Sequence, residues 1–376
     1  MRRRSLWMTA LGLLVVAGCG GGASRTDSGG IRLTRVVGAR YTLTAILPLP
    51  GDTQVTVTGL NNAGEVIGAS LIFVPTPPRS PGGNSKSAFI GTSGADVRAQ
   101  DPAPGVLHPF LVLNGLQTPL PTLPTDIGTR STIPSAINDH GVIVGIDGGT
   151  PVIWRNGIPT PMRGLTSVEY LLAINNHDVV FGLDGQGYFL WNDGNVTRLP
   201  KAFNMVYGLN DAGVVLGQVS DQNLATAALW LNGEPTLLPR LPGSDLYLNT
   251  FAVAINNPGQ VLGSAAGPQG DAAPYHLVVW QNGQVTDLTG VLGLESSTGV
   301  TINDNGQILG VRHPSTGPSD PFLYQNGAVT SLNALIPQGS GWTIESPIHL
   351  NNRVEILATG LHNGLSSPIL LSPNGL

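Results

Sequence analysis

The sequence predicts an all-β fold, a β-propeller of about seven four-stranded blades, closed by pairing of an N-terminal strand with the C-terminal blade. Two turn motifs, each present seven times, and the spacing of their copies lead there. The first motif begins at Asn61, Asn138, Asn175, Asn210, Asn256, Asn303 and Asn351 and reads LNNAGEVIG, INDHGVIVG, INNHDVVFG, LNDAGVVLG, INNPGQVLG, INDNGQILG and LNNRVEILA. Counting from the leading Asn, the fourth position is Gly in five copies and Asp178 or Val354 in the others; the eighth is Gly in six and Ala358 in the last. The second motif follows each first one as FLVLNG, VIWRNG, FLWNDG, ALWLNG, VVWQNG, FLYQNG and ILLSPNG.

Each motif joins two strands. Asn-Gly, or Asp193-Gly194 in one copy, accepts positive φ at both central positions of a type I′ turn, so the second motif is a hairpin. In the first, Pro258-Gly259 suits the two central positions of a type II turn, with the preceding Asn or Asp capping it. Alternating stretches such as Val196-Thr197-Arg198-Leu199 and Val285-Thr286-Asp287-Leu288 supply one more strand, giving strands a to d per repeat. Leading asparagines lie 77, 37, 35, 46, 47 and 48 residues apart; apart from the first gap, these intervals suit a propeller blade. The first gap holds a Pro/Gly-rich insertion at about 73–109, an ornate loop between strands b and c or the remains of an eighth blade, with the loop favoured because no second Asn-Asn hairpin occurs in it. The last repeat lacks a d strand, and Arg40 to Leu47 matches the d pattern with no a, b or c strand before it. Residues about 38–48 are therefore expected to complete blade seven and cover its edge.

Composition narrows the partners. Charged residues are 11% and apolar residues 41%, which suits a packed body and not a solvated tail. Lys and Arg total 18 against 23 Asp and Glu, and without the three N-terminal arginines 15 remain, for a net charge of −8. A nucleic-acid partner is not expected of such a chain.

The N-terminus has its own layout. Arg2-Arg3-Arg4 precedes an apolar run from Leu6 to Val16 that is too short to span a membrane, then Val16-Ala17-Gly18-Cys19. Small residues before a lone cysteine resemble the lipobox of bacterial lipoproteins. That resemblance implies cleavage before Cys19, its lipidation, and a membrane partner reached through the anchor. The expected division is a signal peptide at 1–18, a lipidated Cys19 with a flexible Gly/Ser tether over 19–37, and a propeller domain over 38–376. Gly20 after the cysteine, where Asp would retain the protein at the inner membrane, implies an outer-membrane destination in the cell envelope. With Cys19 acylated no thiol remains for a disulfide.

From about residue 40 onward, the alternation of IN-x-x-G-x-V-x-G with an apolar-aromatic strand ending in NG is similar to the repeats of the bacterial extracellular HAF family. The His-Ala-Phe triplet itself survives only as His108-Pro109-Phe110 and Ser87-Ala88-Phe89. The resemblance implies a secreted β-repeat protein and brings no catalytic residues, cofactor or metal.

Candidate chemistry is sparse. His140 and His177 share a turn position that the scaffold explains. His276 and His313 are expected in loops near Asp271 and Asp320, without a zinc signature. Trp154, Trp191, Trp230, Trp280 and Tyr324 recur at one c-strand position and are read as blade-to-blade packing over sugar stacking. Asp139, Asp211 and Asp304 are read as caps of their own turns, and no calcium loop, G-x-S-x-G elbow or P-loop occurs. The a–b and c–d turns are short and alike, whereas the b–c and d–a connections are long and unlike, so a binding surface is expected on the latter face. The expected function is a lipid-anchored binding or scaffold module for a protein or glycan. A glycan-active enzyme with carboxylates near the channel, or a surface adhesin, are the alternatives.

Overall fold

The computed structural model describes residues 16–17, 24–25, 31–33, 35–37, 40–72, 105–124, 131–221, 224–244, 249–268, 275–292 and 297–375. Seven antiparallel sheets follow one another along the chain; five are ordered a-b-c-d with four strands each, while in blade one Val16–Ala17 also pairs with the a strand, at Gln54 and Val55, and Ser24–Arg25 and Ile31–Arg32 extend the outer edge, and blade seven has five strands. Blade two shows the pattern: Thr132–Ile137, Ile143–Asp147, Thr150–Arg155 and Ile158–Pro161 pair in succession. The a strands neighbour one another around the axis and form the channel wall.

Closure follows the expectation. Tyr41–Ala45 pairs antiparallel with Leu365–Pro373, from Tyr41 opposite Pro373 to Ala45 opposite Ile369, and serves as the fourth strand of blade seven. The first long gap is a b–c connection, because Val66–Ile72 pairs directly with Val106–Leu113. The greater part of the insertion, residues 73–104, lies outside the described residues. The N-terminal stretch contributes upstream of the expected boundary at 38: Arg35–Val37 adds a fifth strand to blade seven, and Ile31–Arg32 pairs with Leu116 and Gln117 of blade one. Ile31 and Leu33 are buried in a cluster with Ile46, Val55, Phe110 and Leu357, which lies across the seam between those blades.

Cores sit between blades, and the recurring aromatic is part of five of the seven: Trp154, Trp191, Trp230, Trp280 and Tyr324 each belong to one cluster. Trp154, Trp191, Trp230 and Trp280 are buried. Three of their indole N–H groups donate to carbonyls that follow the preceding blade's d strand: Trp154 to Pro121, Trp191 to Arg163 and Trp280 to Pro239, each at 2.7 Å. The packing reading therefore holds, with a hydrogen bond added; Trp230 differs and bonds to Gly233 at 2.5 Å.

The eighth-position glycine has a steric cause. Gly68, Gly145, Gly182, Gly217, Gly263 and Gly310 each pair with the a strand where it is bulged. There the bulged a strand sets a carbonyl against the glycine, and in five of the six copies an aromatic ring lies against it as well: a Cβ on Gly310 would lie 2.7 Å from the Thr298 oxygen and 2.5 Å from the ring of Phe322, which pairs with it from strand c.

Candidate functional site

The a–b turns differ in type from the expectation. Gly259 N–H bonds to Asn256 carbonyl, so Asn257 and Pro258 are the central residues and Gly259 follows them with φ +82°. This is a three-residue loop with a left-handed residue closing it, the G1-bulge form, because Pro at the third turn position cannot take the positive φ a type II turn needs. Asp178 and Val354, which replace Gly there, hold φ +58° and +60°. Five of the seven predicted c–d turns have the positive φ pair of type I′, as in Asn282-Gly283 with φ +51° and +73°; at Asn232-Gly233 only Asn232 is left-handed and at Asn374-Gly375 only Gly375 is, so those two copies depart from the expectation.

The leading asparagines form a closed ring that the sequence reading missed. Each side-chain Oδ1 accepts backbone N–H groups of its own turn, as Asn351 does from Arg353 and Glu355 at 3.0 and 2.9 Å. Each Nδ2 donates to the backbone carbonyl of the next blade's leading Asn. The chain of bonds runs 61 to 138, 175, 210, 256, 303, 351 and back to 61, at 2.8–3.2 Å. All seven are buried. Only an amide can donate forward and accept backward, which is the physical reason the position is Asn in every copy.

A second ring lies on top of the first. The second residue of each turn donates its backbone N–H to the Oδ1 of the next blade's second residue. These bonds join Asn62, Asp139, Asn176, Asp211, Asn257, Asp304 and Asn352 and return to Asn62, at 2.6–2.9 Å. Asp139, Asp211 and Asp304 thus cap the neighbouring blade's turn and not their own. An acceptor suffices here, so either Asn or Asp serves, and the two alternate except where Asn352 meets Asn62. Their second oxygens accept from asparagine amides, as Asp139 does from Asn62 at 2.9 Å and Asn176 at 2.8 Å.

Together the turns enclose a cavity of about 190 Å³ at the channel mouth. Its deeper layer is Leu60, Ile137, Ile174, Leu209, Ile255, Ile302 and Leu350. Asn61 uses its N–H on Glu65 and its carbonyl on Gly64. Leu60 therefore turns its own N–H and C=O to the channel edge, and the same pairing recurs in all seven turns. Among the described residues Asp139, Asp211 and Asp304 have no cationic partner, whereas Asp178 pairs with Arg155 at 2.9 Å and Glu355 with Arg353 at 2.7 Å. The cavity lies on the face opposite the one expected to bind.

The other candidates do not converge. His140 and His177 are exposed turn residues. His276 is buried on strand c and not in a loop; its Nδ1 contacts Asp287 at 2.6 Å. Burial opposes ionisation of Asp287, yet the His276 and Thr289 hydrogen bonds bring its carboxyl below the ordinary range. His313 lies between Thr298 and Ser319 hydroxyls at 3.1 Å each. Asp320 bonds Arg312 and Ser331. Among the described residues no three His, Cys, Asp or Glu side chains come together to hold a metal. Cys19 and Asp271 lie outside the described residues. On the b–c and d–a face, polar pairs differ from blade to blade: His108 with Asp52 at 2.9 Å, and Arg198 with Asp184 at 2.6 Å, a hydrogen bond that lowers the Asp184 carboxyl.

Neither a known family pattern nor a characterised protein matches the chain by sequence. Among solved structures it is similar to the β-propeller domain of the Trilobed protease from Pyrococcus furiosus, with TM-score 0.53 and 10% identity over 86% of this chain and 94% of that one. That domain has an open velcro topology; here Tyr41–Ala45 closes the ring. An acylaminoacyl peptidase in complex with Z-Gly-Gly-Phe-chloromethyl ketone gives TM-score 0.52 and 11% identity over 85% of this chain and 51% of that one, so the chain spans about half of that peptidase. The likeness shows the fold alone.

Proposed function

We propose that the chain is a binding or scaffold module of the bacterial cell envelope, held at the outer membrane by lipid on Cys19, with its contact surface centred on the channel mouth at the a–b turns. The double hydrogen-bonded ring carries this reading. It fixes seven turns against one another before any ligand arrives, so little conformational entropy is lost on contact. The rim also favours binding over catalysis. Each of its three carboxylates accepts the backbone N–H of the preceding turn and so serves the ring itself. The HAF-like repeats and the lipobox-like Cys19 support an envelope location.

A second reading, recognition of a protein or glycan through the b–c and d–a connections, is favoured by the unlike polar pairs on that face. Thiol labelling separates the two. Ala212→Cys lies on an exposed a–b turn and Gln186→Cys on an exposed b–c turn of blade three. With both variants in intact envelopes, shielding of the first and labelling of the second is expected. Labelling of the first with shielding of the second would move the contact surface to the other face.

A further inference from the structure

We propose that the outer edges of blades one and seven form a docking surface for an anionic phospholipid bilayer, the membrane in which the chain is anchored. This rests on the reading of Cys19 as a lipid anchor and assigns the part of the propeller that lies against the lipid.

Charge sets this edge apart. Ile31–Arg32 lies outside the d strand of blade one, and Arg35–Val37 is the outermost strand of blade seven. Arg32, Arg35 and Arg40 are exposed, while Ile31 and Leu33 on either side of Arg32 are buried, so strand alternation turns the Arg32 side chain outward. The three arginines meet across the seam between the blades. Leu33 N–H bonds to the Gly115 carbonyl at 2.9 Å, and a Cβ on Gly115 would lie 2.7 Å from the Arg35 guanidinium, which places Arg32 and Arg35 at the c–d turn of blade one. Arg40 sits at the c–d turn of blade seven, where its carbonyl accepts from Asn374 N–H at 2.8 Å. No Asp or Glu occurs in the c and d strands of either blade, nor between positions 28 and 51. Among the described residues none of these three arginines is in an ion pair, whereas Arg155, Arg198, Arg312 and Arg353 are each matched by a carboxylate.

Apolar side chains accompany the charge. Val37 shares a face of its strand with Arg35 and is 73% exposed, the most of any large apolar residue among the described ones. Leu113, beside the Asn114-Gly115 turn, is exposed as well. Cations next to apolar groups suit the boundary between lipid headgroups and acyl chains.

Chain length chooses the occupant. Cleavage before Cys19 removes Val16–Ala17 and leaves Ser24–Arg25, paired with Ile31–Arg32, as the first strand held by the propeller. Cys19 and Ser24 are five positions apart, a reach of at most about 17 Å. Acyl chains on Cys19 therefore enter the bilayer close to this edge, and an anionic surface is held beside unmatched cations by the chain itself. The patch is at least three strands out from the channel wall, so lipid contact here leaves the a–b turns to another partner.

Co-sedimentation with phosphatidylcholine vesicles, with and without phosphatidylglycerol, is the test. The full chain carrying Cys19→Ser, which removes the acyl anchor, is compared with the same chain bearing Arg32→Gln, Arg35→Gln and Arg40→Gln. A third chain bearing Arg155→Gln, Arg163→Gln and Lys201→Gln loses the same charge at exposed positions elsewhere. Residues 1–18 are common to all three, and circular dichroism melts confirm each fold. An arginine near an anionic surface is worth about fivefold in binding, so the patch variant should bind the anionic vesicles about a hundredfold more weakly, with a much smaller loss in the third chain. Binding that does not distinguish anionic from neutral vesicles, a folded patch variant that binds as the parent does, or an equal loss in the third chain overturns the proposal. Cations on an edge strand also discourage pairing with other chains, and that role alone would leave the choice between vesicles unchanged. Polyglutamate that displaces the chain from anionic vesicles at matched charge would make the patch a site for acidic protein and overturn the lipid. If the patch variant does not fold, Arg32→Gln and Arg40→Gln are measured singly: a loss of about fivefold in each supports the surface, and unchanged binding overturns it. The mass of the chain extracted from envelopes reads the anchor separately. An unmodified Cys19 together with lipid binding lost in the patch variant ends the anchor and leaves the docking surface standing.

Discussion

Replacing Asn175 by Asp changes one atom group and separates the two rings' requirements. Asn175 donates to the Asn210 carbonyl at 3.1 Å and accepts from His177 and Val179 N–H at 3.0 Å each, while 5% exposed. In Asn175→Asp the accepting oxygen survives, but a second oxygen faces the Asn210 carbonyl, where a donor stood. The Asn210 carbonyl keeps the Gly213 N–H and loses its second donor, and a buried carboxylate oxygen is set against it in place of that donor, so the total is about 2–4 kcal/mol. In a domain of this length that lowers the melting temperature by about 3–6 °C. Asp211→Asn is the control. Asp211 accepts from Asn176 N–H at 2.8 Å, which an amide oxygen also does, and it forfeits only the bond from the Asn176 side-chain amide; the cost is under about 1 kcal/mol. The pH response has a definite sign. The new carboxyl in Asn175→Asp is held protonated more strongly in the folded state than in the unfolded one, so its destabilisation is present at neutral pH and shrinks as pH falls. Circular dichroism melts at pH 7 and pH 4.5 measure both effects. A variant Asn175→Asp as stable as the wild type at neutral pH, or an Asp211→Asn loss of equal size, refutes the assignment of donor and acceptor roles.

Further expectations concern other elements. Gly310→Ala places a methyl group on the Phe322 ring and the Thr298 carbonyl at the bulge, and denaturant unfolding should show a loss of about 1–3 kcal/mol. Deleting residues 1–50 removes the fourth strand of blade seven with buried Leu43 and Ile46; at about 2 kcal/mol for each such side chain the melt should fall steeply, and an unchanged melt would mean that the ring does not depend on this strand. Desolvation lowers the pKa of His349, while a bond with the Thr58 backbone acts the other way. The unfolded chain takes up this proton more readily than the folded one, so stability is full above the ordinary value of 6.5 and declines as pH falls below it. His349→Gln should therefore show a smaller drop in melting temperature between pH 7.5 and pH 5 than the wild type.

Much of this architecture is legible in the sequence because a propeller repeats its local chemistry. In five copies the Asn-Gly or Asp-Gly pair fixes a type I′ hairpin through its own φ preferences, and the unpaired d-type stretch at Arg40 to Leu47 reveals the closure. Pro258-Gly259 misleads about turn type, since either G1-bulge or type II geometry places Gly at a positive φ, and only the Asn256 to Gly259 hydrogen bond fixes which positions are central. The rings are not visible as such. Their signal is present, in a leading position that is always Asn and a second that is Asn or Asp, but local capping explains the same residues. The bonds that distinguish the explanations join positions 35 to 290 residues apart. Likewise the eighth-position Gly is plain in the repeat, while its cause, a carbonyl of the bulged strand a and a neighbouring ring packed against it, is a tertiary fact. His276 reads as a loop residue because Tyr275 to Gln281 extends its strand beyond the apolar stretch that marks it.

Amide hydrogen exchange of the full chain in envelope membranes, compared with the purified chain, addresses the contact surface directly. Slower exchange is predicted at the outer turn amides of His140, His177, Ala212 and Asn305, with the b–c segments around Gln186 and Ser319 unchanged. Protection confined to those b–c segments, with the a–b turns exchanging as in the purified chain, would contradict a contact surface at the channel mouth.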